Sequence, residues 1–257
     1  DKKKLANFNI VIMPDFFVDH FLTMNSFEEE FSRIQDICNQ GGGNIPGIPQ
    51  KIHHGGNAAN TALALARLGI KSHLICRTDD FGLHLLQFFL GKSGVDLSGV
   101  KTNGKLAITT AMEFGEKHTN VLVGDTGSVS DFTFENLDEN DLQTVSNSDI
   151  ACVVNWTLNE RGAELAKDVF GFAKKHNIKT FFDTGDPSHR KHDIPELIRN
   201  VLSNVNLDML GLNENELLQY SRSITPNNDE DVISAAISFK EKIHARVDLH
   251  TASFACT

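Results

Sequence analysis

Basic residues, paired cysteines and polar aromatics are what this sequence has least of. Its 257 residues hold 24 Lys and Arg against 34 Asp and Glu, a formal charge of −10. A chain that grips a phosphate backbone needs a basic face, so nucleic acid is excluded as an expected partner. Cys38, Cys76, Cys152 and Cys256 are scattered too widely for a disulfide framework or a C-x-x-C metal or redox pair, and buried free thiols are expected. Eighteen Phe stand against one Trp and one Tyr. Apolar packing is therefore well supplied, while stacking platforms built from Tyr and Trp are not. No apolar run approaches the roughly 18 to 20 residues that span a bilayer, and the N-terminal DKKKLANFNIVIM lacks the apolar stretch and cleavage site of a secretory signal. The expectation is a cytoplasmic chain without membrane association.

What is present is an ordinary globular composition, 40% hydrophobic and 23% charged, enough for one large domain or two small ones. Short β-like runs alternate with helical patterns, which predicts a parallel α/β sheet. Strands are expected at 8–13, at 16–24 with Phe17, Asp19 and Phe21 on one face, at 72–76, 150–154, 179–183, 207–212 and 245–250, with a hairpin over 106–114 and 120–123. Helices are expected at 57–68, 81–90, 160–176, 214–220 and 229–244. Another begins at Ser26, whose spacing to Glu29 fits a capping box, with Phe27, Phe31, Ile34 and Cys38 at helical intervals until Gly41-Gly42-Gly43. The stretch GGGNIPGIPQKIHH is too irregular for a core element.

Gly55-Gly56-Asn57-Ala58-Ala59-Asn60 opens a helix. The glycines let backbone N–H groups approach a ligand, and Asn57 and Asn60, three apart, line one face of the first turn. Such a site suits hydroxyls or an anion, and a plain Gly-rich turn with an Asn cap fits it equally. The G-x-G-x-x-G spacing of a dinucleotide fingerprint is absent. Asn213 to Glu216 follows the strand LDMLGL, at the carboxyl end where ligands of open α/β sheets bind. Its spacing also fits a helix start capped by Asn213 with Glu216 as its partner. Asp183, Asp186 and Arg190 lie just past another strand, in a segment that also reads as a solvated Asp-Pro turn. The eleven histidines, including His53-His54 and His189 with His192, form no complete ligand set.

The run GGNAANTALALARLG, Gly55 to Gly69, resembles the N-terminal signature of the ribokinase (PfkB) family of carbohydrate kinases. Other landmarks follow in family order: the strand carrying Asp19, the Asp-Asp-Phe-Gly at Asp79 to Gly82, and Asn213-Glu214-Asn215-Glu216. The resemblance implies a three-layer ribokinase-like α/β/α fold with a small β lid, one domain over 1–257, the lid drawn from roughly 14–54 and 105–124. It implies a sugar kinase that uses magnesium and a nucleotide, ATP or ADP, as phosphate donor. Gly55, Gly56, Asn57 and Asn60 then belong to the sugar site, and Asp19 hydrogen-bonds sugar hydroxyls, with Asp15 four residues earlier as the alternative. Glu116, in the lid hairpin, is a further sugar contact, and Arg190 lies beside the cleft. Asp183, Asn213 and Glu216 serve the phosphate side, with Glu216 organising hydrated magnesium. Sugar and nucleotide are the expected partners, with a homodimer formed through the lid.

Three features depart from the family pattern. No Gly-Ala-Gly-Asp sequence, whose Asp is the family's general base, occurs in these residues. No catalytic residue is therefore assigned here, and the base is expected beyond Thr257, the chain alone being inactive. The Asn of the family's Asp-x-Asn-x-x-Arg segment is replaced by Gly185, and the helix from Ser26 to Cys38 looks like an insertion. A nucleoside kinase of the same family and a noncatalytic sugar-binding pseudokinase are the alternative readings.

Overall fold

The computed structural model describes residues 6–115, 119–224 and 231–257. Its apolar runs become the strands β1 (Asn9–Met13), β4 (Lys71–Leu74), β9 (Ile150–Val154), β10 (Lys179–Asp183), β11 (Met209–Asn213) and β12 (Arg246–His250), closed by the short β13 (Ala255–Cys256). They form one sheet in the order β13-β12-β11-β10-β9-β1-β4, parallel except for β13. The two-residue period of a strand sends alternate side chains to opposite faces. Ile10 and Ile12 accordingly pack with α2 (Asn57–Arg67) and α3 (Asp80–Leu90), through Ala58, Ala62, Leu63 and Leu86. Val11 and Met13 join the opposite cluster, with Leu165, Val169 and Phe170 of α5 (Gly162–Lys175) and Leu217 and Tyr220 of α7 (Glu214–Ile224). The result is three layers, α/β/α.

A second sheet, β3-β2-β7-β8, stands off the first; its strands are β2 (Phe17–Met24), β3 (Gln50–Gly55), β7 (Ala107–Phe114) and β8 (Thr119–Asp125). The two-residue strands β5 (Cys76–Arg77) and β6 (Val100–Lys101) pair separately. Strand β3 falls in the stretch expected to be irregular. Its residues are exposed up to His53, so it carries no apolar alternation and is held by backbone pairing to β2. Two helical segments were not expected: α4 (Glu139–Ser146), nucleated by a reciprocal capping box between Asp138 and Asp141, and α6 (Ile194–Leu197), which runs on through a π turn to Leu202. The last helix, α8 (Val232–Lys240), is shorter than the 229–244 expected, and residues 225–230 lie outside the described ones.

The first helix, α1 (Phe27–Asn39), is capped as expected, Ser26 Oγ accepting from the Glu29 N–H at 3.2 Å. Its apolar stripe is not buried. Phe27, Phe31 and Ile34 are 52%, 55% and 39% exposed, and the buried residue of this helix is Glu30, paired with Arg33 at 2.9 Å. Of the four cysteines, Cys76 and Cys152 are buried, and Cys38 and Cys256 are exposed.

Candidate active site

Asp15, between β1 and β2, is fully buried. Its carboxylate accepts from the backbone N–H groups of Asn57 at 2.9 Å and Ala58 at 2.7 Å, and from Nδ2 of Asn155 at 2.7 Å. It thus satisfies the free N–H groups of the α2 start, a job that Gly56, the N-cap residue, has no side chain to do. Burial pushes the Asp15 carboxyl up, and these three hydrogen bonds pull it back. Fully buried and holding these three donors, Asp15 acts as a structural clamp on the α2 start and presents no surface to the hydroxyl ligand left open in the sequence. Gly56 is fixed by the same contact: its φ is +91°, and a Cβ there would stand 3.0 Å from the Phe16 Cα and 3.1 Å from the Asp15 carbonyl oxygen.

Asp19 lies on β2 opposite His53 of β3 and Thr109 of β7. Its carboxylate occupies the space a side chain at Gly55 would need, which explains the first glycine of the pair. Burial raises the Asp19 pKa, and the Thr109 hydroxyl and the nearby His53 oppose it. Asn57 and Asn60, in the first turn of α2, are exposed. The structure therefore brings Asp19, Gly55, Gly56 and the α2 start together. Glu116 lies outside the described residues.

A second cluster forms at the carboxyl ends of β10 and β11. Asn213 and Glu216 close a full capping box: Glu216 Oε2 accepts from the Asn213 N–H at 3.0 Å, Oε1 accepts from Asn213 Nδ2 at 2.7 Å, and the Glu216 N–H donates to Asn213 Oδ1 at 2.9 Å. Glu216 is only 4% exposed, and its carboxyl is pushed up to about 7, by burial first and then by the negative charge of Asp183 and Asp186. Asp183, itself raised by burial, accepts from the Gly185 N–H at 3.2 Å. Among the described residues no group of three or more His, Cys, Asp or Glu is assembled around a cation. Hydrated magnesium needs only one or two carboxylates. A buried carboxyl that resists ionisation among other carboxylates is relieved by such a cation, so the donor set fits.

Asn155 joins the two clusters and was not singled out from the sequence. It ends β9 in the left-handed conformation, φ 58°, with its N–H donating to the Asp183 carbonyl at 2.8 Å while its side chain reaches Asp15. Gly185, at φ +71°, leaves room beside it: a Cβ there would stand 2.8 Å from Thr157 Oγ1 and 3.2 Å from Asn155 Oδ1. Asn tolerates this backbone better than most residues, and an Asn directly after a buried strand is the only signal the sequence offered.

Arg190 is placed elsewhere. Its guanidinium stacks on Trp156 at 4.4 Å and donates to the carbonyls of Trp156, Asn159 and Glu160 at 2.9, 2.6 and 3.3 Å, and to Asp193 at 2.8 Å. Four of its five N–H donors are spent on the protein, and the structure does not bring it to Asp19 or Asn60.

A three-layer α/β/α domain with a second, separate sheet is a ribokinase-like fold. The chain belongs to the pfkB family of carbohydrate kinases, whose pattern matches residues 26–248. Solved structures similar to it include the Arabidopsis thaliana ribokinase complexed with ribose and ATP, 18% identical with a TM-score of 0.68, the alignment covering 95% of this chain and 72% of that one. The adenosine kinase from Sinorhizobium meliloti is 15% identical with a TM-score of 0.71, covering 95% of this chain and 75% of the other. The Xylella fastidiosa fructokinase with bound ATP is 16% identical with a TM-score of 0.71, covering 97% and 75%. No curated protein matches the chain in sequence. Among the described residues no helix is long and apolar enough to cross a membrane.

Proposed function

We propose that the chain binds a sugar or sugar-like molecule and a magnesium nucleotide, ATP or ADP, for phosphoryl transfer to a substrate hydroxyl. The observation that carries this reading is the Asp19 carboxylate lying over Gly55 beside the α2 start, with Asn155 tying that start to the acidic strand ends. A carboxylate accepts two hydroxyls at once and so fixes a sugar ring. Asn57 and Asn60 supply further polar contacts. Bound magnesium supplies positive charge to the transferring phosphoryl group, and Glu216, with Asp183 beside it, would hold that ion through water. Asn213 orients the Glu216 carboxylate through its two donors.

The general base is not assigned to any of these residues, because Asp19 serves the sugar and the family's Gly-Ala-Gly-Asp does not occur in them. The expected outcome is that this chain, given Mg-ATP or Mg-ADP and a panel of ribose, fructose and adenosine, consumes no nucleotide above background. Clear magnesium-dependent phosphorylation would place the base within the chain. The adenosine kinase neighbour keeps a nucleoside as the second substrate class. A cytoplasmic setting and a homodimer through the second sheet, acting as a lid, complete the reading.

A further inference from the structure

On the face of the second sheet that carries Asp19, three strands meet in one register row: His53 of β3, Asp19 of β2 and Thr109 of β7. Side chains opposed on neighbouring strands have Cβ atoms about 5 Å apart, within reach of each other. The Asp19 carboxylate fills the space beside Gly55, so it lies toward β3, the strand of His53. The His53 ring is held edge-on by Phe21, centroids 5.7 Å apart and planes at 74°. Other chargeable groups on this face are more distant in the register: Lys51 is one row out on β3, and Glu113 is two rows out on β7. His20 alternates to the opposite face, where it bonds Gln50 at 2.8 Å, and the start of α2 contributes the uncharged Asn57.

We propose that His53 is a positioning residue for Asp19: its imidazole, across the strand pair, keeps the carboxylate ionised to accept substrate hydroxyls, so that sugar affinity survives acidification. The proposal rests on the reading of Asp19 as the hydroxyl-binding carboxylate. Burial works against that carboxylate, raising its pKa, while the Thr109 hydroxyl and His53 lower it. An imidazole gains its charge on the acid side of neutrality, where a raised carboxyl most needs a cation beside it. Thr109 can supply a hydrogen bond at any pH, so the pH-dependent part of the support falls to His53.

The test compares wild type with H53Q and H53K. The Asp19 carboxyl carbon is followed by NMR through an acid titration, and affinities for ribose, fructose and adenosine are measured by calorimetry at about pH 5.5 and about pH 8. In H53Q the Asp19 titration moves to higher pH, and affinity for whichever compound binds falls more at the acid pH than at the alkaline one. H53K, with a permanent cation, restores the acid affinity. An Asp19 titration unchanged in H53Q overturns the proposal, whatever the ligands do. An equal loss at both pH values also overturns it, because His53 would then touch the substrate directly. If the titration moves as expected and wild type binds none of the three compounds, the hydroxyl-binding reading of Asp19 fails, and the role of His53 in affinity fails with it.

Discussion

Glu216 sits where its own charge is unwelcome, and that has a consequence for stability. Its carboxyl titrates near 7 in the folded protein against an ordinary value of 4.5, so between those values the native state binds more protons than the unfolded one. Stability therefore falls as pH rises through that window, by on the order of 2–3 kcal/mol from this residue. E216Q stands in for the protonated form and keeps a capping acceptor. Urea unfolding at about pH 5.5 and 8 should show the fall in wild type and its near loss in E216Q, with millimolar magnesium flattening the wild-type curve alone. Equal slopes in both proteins, or no effect of magnesium, would leave Glu216 a helix cap only. Arg190 calls for the opposite expectation. R190K loses the planar fork that holds three carbonyls, so it should cost about 1–3 kcal/mol and alter the fluorescence of Trp156, the single tryptophan. Sugar affinity should not follow; a selective loss of it with stability intact would return Arg190 to the binding site.

At the scale of elements, what could be read ahead tracks how much of each element's reason lies in its own residues. Strands β9 and β10 were expected at 150–154 and 179–183, and they occupy those residues, because a buried parallel strand needs an uninterrupted apolar run. Strand β3 could not be found that way, since only its backbone partner holds it. Helix α4 could have been, because Asp138 and Asp141 have capping-box spacing. Helix α1 was found, but its apolar stripe misled: periodicity shows that a helix has an apolar face, not that this chain covers it. Phe27 and Phe31 stack at 5.4 Å in the open, and on the edge strand β8 Val121, Leu122 and Val123 are 43%, 63% and 57% exposed. An unpaired edge of this kind invites another strand. Sedimentation should therefore give a dimer for wild type and a monomer for L122D with unchanged unfolding; a monomeric wild type would exclude assembly through this sheet.

For the whole molecule, the sequence made the layers and the two candidate ligand regions legible, and left the choice between Asp15 and Asp19 to a resemblance. Burial separates them. Two carboxylates four residues apart look alike in a sequence, but one is sealed under the α2 start and holds three donors, and the other lies over a glycine on a sheet face. Asn155, which connects the Asp15 clamp with the acidic strand ends, acts through tertiary contacts that no local pattern encodes. The measurement that bears most directly on this division of labour is calorimetric titration of ribose, fructose and adenosine into wild type, D19A and N60A at neutral pH. At least one compound should bind wild type, and each substitution should weaken it by about 1–3 kcal/mol, the worth of hydrogen bonds lost to a bound hydroxyl, with nucleotide affinity unmoved. Sugar affinity unchanged in both variants would contradict the account.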